Sequence, residues 1–286
     1  MNLIPVIPEN FKMDGGACFG VVPKSIWSKH VPSDENNMVN LSSRCLLLEK
    51  GERKILIDTG LGNKQSDKYY GYFHLFDRKG IELALQEVGT KREEITDVIF
   101  THLHFDHAGG ASVWDADRKN TVPVFPNAHY YCSKAQWDTA NDPNPREAAS
   151  YHPENYTSLY DQGRLELIHE EGLFCEGLYL EIKHGHTQGQ IIPVIEYKGK
   201  KIVFMADFIS SVMNIPLPYV PSFDVDPVKS MEEKKEFLQR ALDHDYILFF
   251  EHDYQHECCN LTQTEKGIRA KEIFTIKDIL SSARKE

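Results

Sequence analysis

The sequence lacks any run of 18 consecutive apolar residues, so it predicts no membrane-spanning helix. Its first residues form neither a basic region nor a long apolar stretch, and we expect no signal peptide. No Cys-x-x-Cys pair occurs among the six cysteines, which argues against a zinc ribbon and against a disulfide framework. We therefore expect reduced thiols and a cytoplasmic protein. The cysteines are Cys18, Cys45, Cys132, Cys175, Cys258 and Cys259.

Dense clusters of Lys and Arg are also absent. The chain has 32 basic and 43 acidic side chains, which gives a formal net charge of −11. Proteins that bind nucleic acid normally need a basic surface that displaces counterions, so we expect no nucleic-acid partner and no membrane partner. The charge balance favours a small neutral or modestly charged substrate. At 286 residues, with 41% of them hydrophobic, the chain is long enough to bury a substantial core.

The most informative stretch is Thr101–Gly110, in which three histidines and an aspartate follow a short apolar, β-branched run. That run predicts a buried strand. Side chains alternate along an extended segment, so His102 and His104 should point to the same side. Past the strand end the alternation lapses, and Asp106 and His107 can face a second point nearby. Because imidazole and carboxylate groups suit borderline metals, the stretch predicts ligands for two adjacent metal ions.

Single polar residues follow three predicted strands in the second half of the chain: His186, Asp207 and His252. Each alone is weak evidence, because a His or Asp at a strand end is more often a turn residue. Together with the first cluster they predict one shared site. Asp58 ends an earlier strand, and it is either a turn residue or a carboxylate that orients a ligand imidazole.

Two runs of strands, each flanked by helices, predict an α/β protein with two mixed sheets packed face to face and helices outside. This is a four-layer αββα sandwich forming a single domain over residues 1–286. We expect residues 1–40 to be an extended lead-in with one strand near Ala17–Val22, and two similar halves at about 41–160 and 161–286. A helix is predicted from Pro227 to Leu242, and a C-terminal helix from Thr264 to Ala283.

The order and spacing of the candidate ligands resemble the metallo-β-lactamase superfamily in its dinuclear hydrolase form. The resemblance extends from Asp58 to His252. Two further segments, Met13–Pro23 and Ser222–Pro227, look like the branch that holds quorum-quenching N-acyl-homoserine lactonases and methyl-parathion hydrolases. The resemblance favours the second interpretation of Asp58, as a carboxylate behind a ligand imidazole.

The resemblance implies two Zn²⁺ ions, with Fe, Mn or Co as alternatives in the same site. The implied ligands are His102, His104 and His186 for one ion, Asp106, His107 and His252 for the other, and Asp207 bridging both. Such a pair can hold a bridging hydroxide at neutral pH, which would attack an electrophilic carbonyl or phosphoryl centre. Asp106 could relay a proton to the leaving alkoxide, so Asp106 and Asp207 are the expected catalytic residues.

Two positions depart from the pattern of the resemblance. Gln190 stands where a non-ligand His is common, and Ser210 stands where many lactonases carry a Tyr, three residues after the bridging Asp. The proton donor to the leaving group is therefore left open. Four residues are candidates for the substrate pocket: Phe105, Phe208, Ser210 and Trp27. Phe105 and Phe208 could instead be plain core, and for Trp27 we favour a packing role in its loop.

We expect a lactonase or esterase that opens N-acyl-homoserine-type lactones. An organophosphate hydrolase acting on phosphotriesters or phosphodiesters is the alternative on the same fold. A mononuclear iron thiol dioxygenase and a non-catalytic, metal-stabilised binding module are alternatives from other classes. Residues 1–40 could serve as a lid or as an arm in a homodimer, and the sequence does not distinguish the two.

Overall fold

The computed structural model describes residues 1–282, and no helix in that range is long and apolar enough to cross a membrane. The strands, in chain order, are β1 Asn2–Val6, β2 Asn10–Asp14, β3 Met38–Ser42, β4 Cys45–Lys50, β5 Arg53–Ile57, β6 Asp97–Ile99, β7 Ser112–Trp114, β8 Thr121–Pro123, β9 His129–Ser133, β10 Leu165–Ile168, β11 Gly172–Cys175, β12 Leu178–Lys183, β13 Gln190–Tyr197, β14 Lys200–Phe204, β15 Ile247–Phe249, β16 Cys258–Thr264 and β17 Gly267–Phe274. The α-helices are α1 Gly15–Phe19, α2 Lys24–Trp27, α3 Asp67–Gly71, α4 Ile81–Glu87, α5 Phe105–Ala108, α6 Lys134–Asn141, α7 Thr157–Asp161, α8 Pro227–Asp243 and α9 Ile276–Ser282.

The chain divides into two compact units. Unit 1 comprises Met1–Phe11 and Ser42–Glu170, and unit 2 comprises Lys12–Leu41 together with the chain from Glu171 onward. Most of the expected lead-in therefore belongs with the second half of the chain. The expectation of a single domain stays a prediction.

The sheet of unit 1 has the strand order β1-β4-β5-β6-β9-β10. Strands β1, β4 and β5 pair antiparallel, whereas β5, β6, β9 and β10 run parallel to one another. Its apolar face packs against α4 and α7, where Leu56, Val98 and Tyr130 meet Leu85 and Leu159 in one cluster. Burying each such aliphatic side chain stabilises the fold by about 1.5–3 kcal/mol.

The sheet of unit 2 has the order β11-β12-β13-β14-β15-β16-β17 and is antiparallel except for the parallel pair β14 and β15. Helix α8 covers one face, because Phe237 and Leu238 pack with Ile192, Val203 and Leu248. Asp226 caps this helix by accepting a hydrogen bond from the backbone N–H of Lys229. The prediction of a long helix starting at Pro227 is confirmed.

The sheets explain where the polar residues lie. Strands β5 and β6 are parallel, so the segments that follow them, Asp58 and Thr101 onward, leave the same edge of the first sheet. Strands β12, β14 and β15 point the same way in the second sheet, because β12 and β14 are both antiparallel to β13. His186, Asp207 and His252 therefore all follow strands that end at one edge.

Two predicted elements are wrong. The strand expected near Ala17–Val22 is helix α1, because Asp14 accepts a hydrogen bond from the N–H of Ala17 and so caps a helical turn. The helix expected from Thr264 is instead β17, which pairs antiparallel with β16, and only Ile276–Ser282 is helical. Pairing with a neighbouring strand overrode the helix-forming composition of this segment. Its expected last residue, Ala283, lies outside the described residues.

Candidate metal centre

Unit 1 gathers the ligands predicted in the Thr101–Gly110 stretch. His102 and His104 follow β6, and His104, in extended backbone, occupies the N-cap position of α5. Asp106 and His107 lie in the first turn of that helix, and this change of backbone explains why they face differently from the first two residues. The ring centroids of His102 and His104 are 4.4 Å apart, and those of His102 and His107 are 3.9 Å apart.

Asp58 is fully buried behind this cluster. Its Oδ1 accepts a hydrogen bond from the N–H of Thr101 at 2.8 Å, and its Oδ2 accepts one from the Thr101 hydroxyl at 2.6 Å. The same Oδ2 lies 3.1 Å from Nδ1 of His107. Because an ionised carboxylate only accepts, Nδ1 carries the proton and the Nε2 lone pair of His107 is left for a ligand.

Sequence reasoning missed Glu147, which approaches the second histidine of the motif. Its Oε2 lies 3.5 Å from Nε2 of His104 and accepts a hydrogen bond from the Tyr151 hydroxyl at 3.0 Å. Both Glu147 and Tyr151 are buried. No pattern in the sequence indicated Glu147, since it lies in an irregular stretch about forty residues after the motif.

Unit 2 gathers the other three predicted ligands around one carboxylate. Oδ2 of Asp207 lies 3.2 Å from Nε2 of His186, and Oδ1 lies 3.1 Å from Nε2 of His252. The hydroxyl of Ser210 donates to Oδ1 at 3.2 Å. Ala206, directly before the carboxylate, has a φ of +43°, a strained value for a residue other than glycine that is typical of functional sites. Each oxygen of Asp207 thus faces a different imidazole.

Asp224 accepts a hydrogen bond from Nδ1 of His186, as Asp58 does from Nδ1 of His107. Oδ1 of Asp224 lies 3.0 Å from Nδ1 of His186, and the Ser230 hydroxyl donates to Oδ2 of Asp224 at 2.6 Å. Asp224 is 2% exposed. The available signal in the sequence was its position, an acidic residue in the Ser222–Pro227 segment just before a helix cap.

Helix α8 also fixes the turn that carries His186. The carboxylate of Glu233 accepts hydrogen bonds from the N–H groups of His184 and Gly185, each at 3.1 Å. A Cβ at Gly185 would lie 2.3 Å from the Ser230 hydroxyl oxygen, so only glycine permits this close approach of the turn to the helix. The position of His186 therefore depends on α8 as well as on its own strand.

The charge around His186 is strongly negative. Burial lowers the pKa of His186, but the nearby carboxylates of Asp207 and Asp224 raise it by more, so that it stands at about 10. The imidazole keeps its proton because the two carboxylates stabilise a positive charge between them. A bound metal cation would supply that positive charge in place of the proton, and the imidazole would then be neutral and act as a ligand.

The candidate pocket residues lie in different surroundings. Phe105 packs on Phe73 with ring centroids 4.7 Å apart, and Phe208 packs on Phe237 at 5.3 Å. Trp27 is 1% exposed and belongs to an apolar cluster in unit 2. All three are buried, and their roles as pocket walls stay predictions. Gln190 is also fully buried, and within residues 1–282 neither atom of its amide group has a hydrogen-bond partner.

The donor sets of both units suit a metal. In unit 1 the donor atoms of His102 and His104 lie within 4.8 Å of each other, as do those of Asp106 and His107. In unit 2 those of Asp207 lie equally close to His186. Buried imidazoles backed by carboxylates at Nδ1 are the usual environment of ligands to borderline divalent ions. The residues present therefore fit a His/Asp metal-binding site.

Comparison with known proteins agrees with this geometry. Residues 39–252 match the sequence profile of the Metallo-beta-lactamase superfamily. An N-acyl homoserine lactonase of Bacillus cereus is 26% identical over 232 residues, which cover 77% of this chain and 85% of that protein. The crystal structure of a probable metal-dependent hydrolase from Staphylococcus aureus, 28% identical, superposes with a TM-score of 0.85 over 96% of this chain and 98% of the other.

A dizinc quorum-quenching lactonase, AidC, solved with the product N-hexanoyl-L-homoserine, superposes with a TM-score of 0.73. It is 24% identical and covers 96% of this chain and 95% of its own, so it bears on the fold. The chain belongs to the metallo-β-lactamase superfamily. It has the mixed α/β fold of that family, which confirms the predicted fold class, and it is an enzyme, a metal-dependent hydrolase.

Proposed function

We propose that the chain is a dinuclear zinc hydrolase that opens N-acyl-homoserine-type lactones. The observation that carries this proposal is the carboxylate of Asp207, whose two oxygens each face a different imidazole at 3.1–3.2 Å. A carboxylate held in this way is suited to bridging two ions. The named lactonase relatives support the substrate class. A cytoplasmic location, proposed from the scattered cysteines, and a homodimer remain predictions.

Seven side chains are the proposed ligands. His102, His104 and His186 would hold one ion, and Asp106, His107 and His252 the other, with Asp207 shared. When bound, the two ions supply Lewis acidity and lower the pKa of a coordinated water towards neutrality. Iron, manganese or cobalt could occupy the same donor set, since all accept imidazole and carboxylate.

The side chains of the protein supply orientation and proton handling. Asp58 and Asp224 keep the Nδ1 protons of His107 and His186 in place, so that both imidazoles present Nε2. Asp106, which we propose to be catalytic, would take a proton at its carboxylate and pass it to the leaving alkoxide. The Ser210 hydroxyl, which donates to Asp207, would hold the shared carboxylate rather than act as the proton donor.

Metal analysis and a substrate panel test this proposal. The purified enzyme should contain two metal ions per chain, and it should open homoserine lactones faster than it hydrolyses paraoxon-like phosphotriesters. His186→Ala should lose both metal and activity, whereas His169→Ala, at an exposed position outside the cluster, should keep both. A higher kcat/KM for phosphotriesters would favour the organophosphate alternative, and one iron per chain would favour the thiol dioxygenase.

A further inference from the structure

Unit 2 contains a cavity of about 470 Å³ that the sequence did not suggest. It is bounded by the segment of residues 29–41, the loop after β14 and the loop that carries His252. The volume lies within the range of small-molecule sites, about 300–1,000 Å³. The cavity opens to solvent.

Most of the cavity wall is apolar. Phe19, Val31, Leu41 and Met213 line it, and the same four residues belong to or pack against one hydrophobic cluster of unit 2. A wall held by such a cluster keeps its shape when no ligand is bound, which lowers the entropy cost of binding. The body of a ligand in this cavity should therefore be apolar.

The remaining wall includes one cationic side chain, that of Lys29. Lys29 and His30 line the cavity and are exposed, and within residues 1–282 neither side chain makes an ion pair or a hydrogen bond. In a protein with a formal net charge of −11, an unpaired lysine in a cavity is notable. Cations placed in a concave site attract anionic ligands more strongly than cations on an open surface.

The one carboxylate that lines this cavity is already engaged. Asp253 is 7% exposed and accepts hydrogen bonds from the N–H groups of Val212, Gln255 and His256, at 3.0, 2.9 and 2.8 Å. Its Oδ2 also lies 3.2 Å from Nδ1 of His256. These donors satisfy the Asp253 carboxylate, and within the described residues it forms no ion pair with Lys29.

The cavity and the candidate ligands of unit 2 have one residue in common. His252, whose Nε2 lies 3.1 Å from Asp207, is one of its lining residues. A molecule that fills the cavity would therefore have one end beside a proposed metal ligand. Lys29 is another lining residue of the same cavity.

We propose that this cavity binds the non-reacting arm of the substrate, and that Lys29 selects arms that are apolar along their length and end in a carboxylate. The proposal rests on the proposed function, because it assumes that the reacting ester or lactone lies at the His252 end. It narrows the substrate class from acyl lactones in general to lactones or esters of dicarboxylic acids.

Two lactones of equal length test the proposal: N-hexanoyl-homoserine lactone and its analogue with a terminal carboxylate on the acyl chain. The wild-type enzyme should favour the carboxylate by about fivefold in kcat/KM, the effect of an ion pair worth roughly 1 kcal/mol. The difference should lie in KM. Lys29→Met should abolish the preference and Lys29→Glu should reverse it. Lys271→Met, which removes an exposed lysine of β17 outside the cavity, is the matched control and should leave it unchanged.

Equilibrium binding of two non-reacting amides, N-methylhexanamide and its carboxylate-ended analogue, separates this proposal from the lactonase proposal. Tighter binding of the analogue that Lys29→Met removes would support the cavity assignment even if no lactone were opened. Equal kcat/KM for the two lactones, or a preference that persists in Lys29→Glu, would overturn it while leaving the lactonase activity established.

Discussion

Asp224 offers the sharpest test of how the metal centre is built, because it touches a proposed ligand without being one. Asp224→Ala removes the acceptor for Nδ1 of His186 and leaves the Ser230 hydroxyl without its acceptor. The imidazole can then rotate and change tautomer. Loss of such a supporting carboxylate typically weakens metal affinity about 10–100-fold, which corresponds to roughly 1.4–2.7 kcal/mol. Hydrogen bonds to a charged group contribute a similar amount, about 1.5–3 kcal/mol each.

The measurement is competition between the metal-free protein and a zinc chelator of known affinity. Asp224→Asn should lose less affinity than Asp224→Ala, because its amide oxygen can still accept from His186 and its NH₂ can donate to Ser230. Asp243→Ala, which removes an exposed carboxylate at the end of α8, is the control. Thermal unfolding of the metal-free forms would separate loss of affinity from loss of fold. Wild-type zinc affinity in a folded Asp224→Ala protein would refute the reasoning.

Two further substitutions test packing interactions, one at the buried Glu9 of unit 1 and one at Gly185 of unit 2. Burial raises the pKa of Glu9 from 4.5 to about 7, so the folded state retains a proton that the unfolded state releases, and stability is lost as pH rises from about 4.5 to 7. Glu9→Gln should remove this loss. The free energy of unfolding of the variant, measured in urea, should therefore rise relative to that of the wild type by about 1–3 kcal/mol between pH 5 and pH 8. Parallel pH profiles of the two proteins would contradict the prediction. Gly185→Ala should force the His186 turn away from Ser230 and destabilise the metal-free protein by about 1–3 kcal/mol in thermal unfolding. Gly172→Ala, where the added Cβ meets no atom within 4 Å, should be neutral, and equal unfolding of the two variants would argue against the close packing.

The sequence by itself determined the fold class and the seven candidate ligands. It did so because strand ends, metal-ligand chemistry and spacing are local properties. The Thr101–Gly110 stretch follows an apolar strand and places four donors in six residues. The helix at Pro227 is indicated by the Asp226 cap and by the proline itself. These signals do not depend on which parts of the chain meet in space.

Apart from Asp58, which the sequence already indicated, only the tertiary structure decided which residues support those ligands. Asp224, Ser230 and Glu233 are ordinary polar residues in the sequence, and they matter because α8 packs against the turn that carries His186. In the same way, pairing with β16 made a strand of the segment after Gly267, whose composition favours a helix. Such contacts join residues tens of positions apart, and their free energy belongs to the packed chain, so no pattern along the sequence contains it.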